Sequence, residues 1–433
     1  MAVYNVEMNK ERGSALSSRW ARLGKLLLAL LAVAGMVLAT SGCGGAKEQK
    51  VLYFWNGLVG DDGPAMQRII KAYNAQNPEY KVVFQPMNGG DLTTKIYSVM
   101  QTGRNIPDLV IQDQFTNSVL QSQGLLNPSS VWTKYQPELK KSAYLPQAWD
   151  NTVVSGTSYG IPLYLFQMAI YYNKGLVHKY GLDYILKDGL VTTDEIASMK
   201  GKLPKDVYGL CLGNLPWSIM SMLYSAGGNV EDGVKDMTAP VWRKPLKALR
   251  DLNDQGMLSP IDSDGEQVFA SGHSVFGMLG TWAQGNMSKT LGKDKVAEAN
   301  TLQYGTENPS NFLWQQNWVQ LKDKNRPAER TKAAADFIDF VYKHWMMWSD
   351  VGSISPAYRD LNNPDYQKLI QASFTNGKNE RKWIKTSNYL YGGYATAAWG
   401  SYMDIVYGNV SLDEGLKTLD LMTQGQIQIQ EQS

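Results

Sequence analysis

Cysteine and histidine are scarce. Of 433 residues only Cys43 and Cys211 carry thiols, and only His178, His273 and His344 carry imidazoles. Neither type clusters at zinc-ligand spacing, and no aspartate-rich twelve-residue loop offers calcium ligands, so no metal centre or cofactor is expected. Charge of one sign is also lacking. The formal net charge is +2, and five basic and two acidic residues precede position 43, leaving 37 basic and 38 acidic residues in the rest. A near-neutral body without a Lys/Arg run argues against nucleic acid as partner. There is no repeat with a period of 20–50 residues and no glycine-rich loop built to cradle phosphate. Charged residues make up only 19% of the chain and hydrophobic ones 43%, the balance of a folded protein rather than a disordered one. A single core stops growing near ~250–300 residues, so this length points to two lobes.

Aromatic residues are plentiful: 13 Trp, 24 Tyr and 10 Phe. They must serve the core, a ligand surface, or both. The amino terminus reads as an address. Residues 1–25 are polar and net basic, and Leu26–Ala39 form 14 uncharged, mostly apolar residues. As a helix they would reach about 21 Å, short of a ~30 Å hydrocarbon core, so residues 1–42 fit a secretory signal rather than a membrane span. Thr40-Ser41-Gly42-Cys43 resembles a bacterial lipobox, with Thr40 where the pattern has Leu. The resemblance implies acylation of Cys43, with residues 43–50 as a flexible tether. Cys211 then has no disulfide partner, and its apolar run (Tyr208–Leu212) suits a small buried thiol.

Further on, Val51–Trp55 and Tyr80–Phe84 read as strands around a helix carrying Met66, Ile69, Ile70 and Tyr73 at i, i+3, i+4, i+7. Strand, helix and strand make a βαβ unit with a right-handed crossover and a parallel sheet. A helix over Leu92–Gln101 and a strand at Pro107–Ile111 follow. Ligands of open α/β sheets bind beyond the carboxyl ends of strands, which marks the exits at Trp55-Asn56 and Gln112–Phe115. Later strand-like runs are Ala169–Asn173, the end of Phe269–Trp282, and Phe312–Leu321. Lys332–Trp348 reads as a strong helix, Ser411–Glu414 as a capping box, and 426–433 as a frayed tail.

In their order these pieces resemble the extracellular solute-binding proteins of ABC importers, in particular the carbohydrate-binding group that includes maltose-binding protein. The likeness runs from Val51 to Gly425. It rests on Pro107-Asp-Leu-Val-Ile111, Gly160-Ile-Pro-Leu-Tyr164 with Tyr171-Tyr-Asn-Lys174, Gly280-Thr-Trp282, the Ala333–Val341 helix and Tyr407–Leu416. The resemblance implies an α/β, two-lobed periplasmic-binding-protein-like fold, each lobe a mostly parallel sheet flanked by helices. By that analogy one lobe holds 46–161 and 300–345, the other 163–285 and 350–425, with the ligand in the cleft between them. It also implies a monomer without catalytic residues that delivers a carbohydrate to membrane permease subunits from the outer face of a bacterial membrane.

A sugar offers apolar C–H faces and a rim of hydroxyls. Flat aromatic rings cover the former, while amides and carboxylates bond the latter. On that chemistry the candidate contacts are Trp55, Asn56, Asp61 and Asp62 after the first strand, and Gln112, Asp113 and Gln114 after the third. Trp314, Gln315 and Gln316 join them, with Trp318 assigned to the core by strand alternation. The resemblance adds Tyr164 at the first crossing, Trp217 and Trp282 as aromatic platforms, Ser353 and Ser355 in Gly352-Ser-Ile-Ser-Pro356, similar to a family turn that reads Gly-x-x-Pro, and Tyr394 and Trp399 before the last helices. Two other classes remain open at this stage. A glycoside hydrolase needs a marked pair of carboxyls, which the sequence does not show. The same scaffold binding a non-sugar, such as a phosphorylated polyol or a peptide, is the other.

Overall fold

The computed structural model describes residues 49–58, 62–213, 215–377, 382–384 and 399–432. In chain order the elements that position the site are β1 (Lys50–Asn56), α1 (Asp62–Ala75), β2 (Tyr80–Pro86), α2 (Gly89–Thr102), β3 (Leu109–Asp113), α3 (Gln114–Ser122) and β4 (Ile161–Asn173). After these come β5 (Tyr208–Leu212), α4 (Leu215–Ser225), α5 (Pro240–Asp254), α6 (Gly265–Ala270), β6 (Ser274–Gly280), α7 (Gln284–Leu291), β7 (Val296–Asn300) and β8 (Leu313–Val319). Helices α8 (Ala328–Lys343), α9 (Trp399–Val406) and α10 (Leu412–Gln432) complete the set.

The strands join in the order β2-β1-β3-β8-β4-β6-β5, with β7 also paired to β4. The βαβ expectation holds at the outer strands, where β1 pairs in parallel with β2 and β3, and β5 with β6. Towards the middle the parallel order gives way. β8 runs antiparallel to both β3 and β4, and β4 runs antiparallel to β6 and β7. The sheet is therefore mixed, because β8 re-enters it after a long excursion and points against its neighbours.

Strand alternation sorts the side chains of β1. Leu52 and Phe54 enter the large core with Met66, Ile69 and Tyr73 of α1 and Phe337 of α8. Trp55 faces the other way, into a smaller core with Leu92 and Ile96 of α2. Trp318 is buried against Phe54 and Phe337, as alternation predicts. Asp108, just before β3, accepts hydrogen bonds from Nε and Nη2 of the Arg330 guanidinium and from the backbone N–H of Tyr53, which ties α8 to the sheet. Helix α10 continues to Gln432, past the fraying expected from 426, on a Ser411–Glu414 capping box. Burial pushes the Cys211 thiol up to about 12, so it stays protonated and unreactive.

Residue pairing also places Glu298 of β7 opposite Tyr171 of β4. Burial raises its carboxyl from 4.5 to about 8, with the Tyr171 hydroxyl acting in the opposite direction. Folding thus favours the protonated form. The stability this confers is complete below about pH 4.5 and drains away as pH climbs to about 8, at up to ~1.4 kcal/mol per pH unit. Urea denaturation at pH 5, 7 and 8.5 should show that decline in the wild type and a flatter one in Glu298→Gln.

Candidate ligand-binding cleft

A cleft of about 820 Å³ opens beside the middle of the sheet. Its floor is aromatic. Tyr164 and Phe166 are two residues apart on β4 and so project to the same side. Trp217 stands in the first turn of α4, and Trp282 in the short turn that follows β6. Phe166 and Trp282 meet edge to face at 5.5 Å and 81°, and Trp217 and Trp282 at 5.6 Å and 68°. Phe166 and Trp217 lie closer to parallel, 5.6 Å apart at 31°. The three rings form a corner with two faces roughly perpendicular to each other, an arrangement that their quadrupoles favour.

Behind this corner stands a second layer. Trp314 is the cross-strand partner of Phe166 and stacks on Trp217 at 4.0 Å. Phe115 closes on Trp314 edge to face at 4.6 Å. Tyr164 stacks on the buried Trp348 at 5.2 Å. The aromatic surface is therefore fixed from behind by fully packed rings.

The polar groups sit at the rim. Asp62 begins α1, and its carboxylate lies 3.5 Å from the Tyr164 hydroxyl. Burial first, then the charges of Asp62 and Asp113, hold the Tyr164 phenol well above its ordinary range, so it is a neutral donor. Glu266 lies in the first turn of α6, and the Asn286 amide of α7 donates to it at 3.4 Å. Lys289 follows Asn286 by three residues on α7 and lines the same cleft; no carboxylate among the described residues lies within ion-pair distance of it. Val351 and Ser353, on either side of Gly352, also line the cleft. Gly352 has φ +77, and a Cβ there would fall 2.0 Å from the Thr281 carbonyl oxygen, so this turn touches the Trp282 turn backbone to backbone.

Of the expected contacts, Asp62, Tyr164, Trp217, Trp282 and Ser353 line the cleft. Gln316 is half-buried, faces Tyr164 across the β8–β4 ladder and faces Asp113 across β8–β3. The Asp113 carboxylate is occupied by the N–H groups of Phe115 and Thr116 and by the Thr116 hydroxyl, so it caps α3. Others do not reach the cleft. Trp55 is buried under Lys95 and α2. Asn56 is fully buried and accepts the Leu58 N–H, a turn role. Gln112 is buried in β3. Gln114 bridges the backbone of Leu313 and Gln315, and Gln315 bonds the Ala148 carbonyl, so both amides brace the sheet. Trp314 belongs to the second layer. Ser355 is buried, donates to Asp360 and accepts the Ala357 N–H inside its own turn. Asp61, Tyr394, Cys43 and the leader lie outside the described residues, as does the side chain of Trp399, whose backbone opens α9.

Sequence reasoning missed Gly57, Phe166, Glu266, Ala283, Asn286, Lys289 and Val351. Phe166 carried a usable signal, the period of two from Tyr164. Helix spacing after Trp282 would have paired Asn286 with Lys289 but not aimed them.

The family model for bacterial extracellular solute-binding proteins matches residues 56–344, well over half of the chain. The chain belongs to that family. Its members are solute-binding proteins, not enzymes. The fold matches the acarbose-binding GacH receptor of Streptomyces glaucescens with a TM-score of 0.74 at 17% identity, over 88% of this chain and 99% of that one. It matches the sugar-binding MalE of Xanthomonas citri with a TM-score of 0.72 at 16% identity, over 89% and 100%. These likenesses establish the two-lobed α/β fold. Among curated proteins, a putative binding protein of Brucella abortus is 24% identical over 207 residues, 46% of this chain and 48% of its own length. The sn-glycerol-3-phosphate-binding periplasmic protein UgpB of Brucella suis is 24% identical over 266 residues, 57% and 60%. The match spans about half the length of the first of these relatives and three-fifths of the second.

The two-layer arrangement separates support from contact. Trp314→Ala should cost about 3–5 kcal/mol in chemical denaturation, because a buried ring leaves a cavity. Trp217→Ala, on the half-exposed layer, should cost distinctly less.

Proposed function

We propose that this protein captures a neutral carbohydrate, an oligosaccharide of more than one ring, and delivers it chemically intact to the permease of an ABC importer. The observation that carries this reading is the corner of Phe166, Trp217 and Trp282. The rings touch one another at 5.5–5.6 Å and so make a continuous apolar surface. An ammonium cage would instead hold its rings apart around a central cation. A continuous surface suits the flat C–H face of a sugar. Asp62, the Tyr164 hydroxyl, Glu266, Asn286 and Ser353 supply acceptors and donors for its hydroxyls. The volume, about 820 Å³, lies in the range of sites that enclose a sizeable ligand. The fold it shares with maltose- and acarbose-bound proteins supports the same reading.

In this proposal residues 46–161 with 300–345, and 163–285 with 350–425, are the two lobes, and closure follows from a ligand that contacts both. Residues 1–42 direct export, and Cys43 carries the lipid. Palmitate labelling of expressing cells should mark the wild type and not Cys43→Ser, which should appear in the soluble fraction.

Lys289 favours a second reading. It is the one cation among the described cleft-lining residues, and the UgpB relatives are described as binding sn-glycerol 3-phosphate. Asp62 and Glu266 in the same cleft oppose a phosphate. Isothermal titration with maltose, maltotriose, mannotriose and sn-glycerol 3-phosphate discriminates the two. A neutral sugar should bind, and Trp217→Ala or Trp282→Ala should weaken it about ten- to hundredfold, the loss of roughly 1.5–3 kcal/mol of aromatic burial. Binding of the phosphate alone, abolished by Lys289→Ala, would establish the second reading instead.

A further inference from the structure

We propose that Gly280 is a positioning residue of the cleft: the side chain it lacks is the space that the Trp282 indole occupies. Gly280 ends β6 with φ −80 and ψ 154, ordinary extended backbone that any residue adopts. Conformational freedom is therefore not why glycine stands there. The reason is room. A Cβ at position 280 would lie 2.1 Å from Cη2 and Cζ3 of the indole and 2.3 Å from Cε3. The six-membered ring folds back over the strand end, two residues upstream of its own Cα.

The backbone at this point cannot yield to a larger residue. Gly280 pairs with Met168 in the β4–β6 ladder. Its carbonyl accepts a hydrogen bond from the Tyr171 hydroxyl at 3.0 Å, and Tyr171 is fully buried. Trp282, by contrast, is only part-buried and borders open cleft. When the two compete for one volume, the indole moves and the strand stays. Turned outward, it leaves its edge-to-face contacts with Phe166 and Trp217, and the corner loses one of its two faces. Residue 280 thus decides whether the second aromatic face exists, although the proposed ligand does not contact it.

The affinity arm of the test rests on the carbohydrate reading; the optical arm does not. Near-ultraviolet circular dichroism and sugar titration (maltotriose or mannotriose, whichever binds) are compared for wild type, Gly280→Ala, Trp282→Ala and the double variant. Gly280→Ala should reproduce both the altered aromatic spectrum and the ten- to hundredfold affinity loss of Trp282→Ala. In the Trp282→Ala background, Gly280→Ala should add nothing to either. If Gly280→Ala alone fails to fold while the double variant folds, the conflict with the indole is shown directly. Two results overturn the proposal: Gly280→Ala retains the wild-type spectrum, or it costs as much without the indole as with it, down to a double variant that does not fold. If no sugar binds the wild type, the carbohydrate reading fails and the spectra still judge Gly280.

Discussion

The thirteen-residue strand Ile161–Asn173 is the constraint on which the rest of the structure depends. Its first half is zipped to Leu313–Val319, and its second half lies between Ser274–Gly280 and Val296–Asn300. One length of backbone thus belongs to two sets of partners. Every residue from Ile161 to Tyr171 is buried, and Gln167 is the one amide in an otherwise hydrophobic run. Tyr164 and Phe166 lie just before the change of partners at Met168, so the ladder itself sets their rings beside the cleft. The cleft is a consequence of how this strand is shared rather than an addition to a finished fold.

Energetically the site is built from the inside outward. Trp314 and Trp348 are consumed in the core, and each presents a flat surface on which an outer ring stacks. Such packing removes rotamer freedom from Trp217 and Tyr164 before any ligand arrives, which lowers the ordering cost of binding. The polar groups follow a different rule. Asp62, Glu266 and Asn286 lie in the opening turns of helices, where short side chains project from fixed backbone. Their positions are set by the helices.

Part of this was legible in the sequence. The βαβ opening, the buried thiol and the core helices were readable because period and burial agree there. Tyr164, Trp217 and Trp282 were legible only through the family resemblance, since position alone does not separate a ring that borders a cleft from one packed in a core. Strand-exit reasoning located Trp55, Asn56 and Gln114 near the right end of the sheet but could not choose between its two faces. Nor could it foresee that the Gln114 amide would be taken by the backbone of Leu313 and Gln315, and the Gln315 amide by the carbonyl of Ala148 in the helix Pro146–Asp150. Lys289 and Glu266 were illegible for a further reason. They sit on helices of eight and six residues, too short for a pattern to show which side faces inward. The antiparallel middle of the sheet was hidden likewise, since strand direction depends on where the chain returns, over a hundred residues later.

The contact between Gly352 and the Thr281 carbonyl couples two stretches of chain about seventy positions apart. One carries Trp282 and the other Ser353, so two cleft-lining stretches share a seam with no room for a Cβ at position 352. Such a seam has no slack. Divergent descendants of this sequence could exchange the rings and rim groups to suit new guests, yet any residue heavier than glycine at this join would prise the two stretches apart and retune the whole cavity at a stroke.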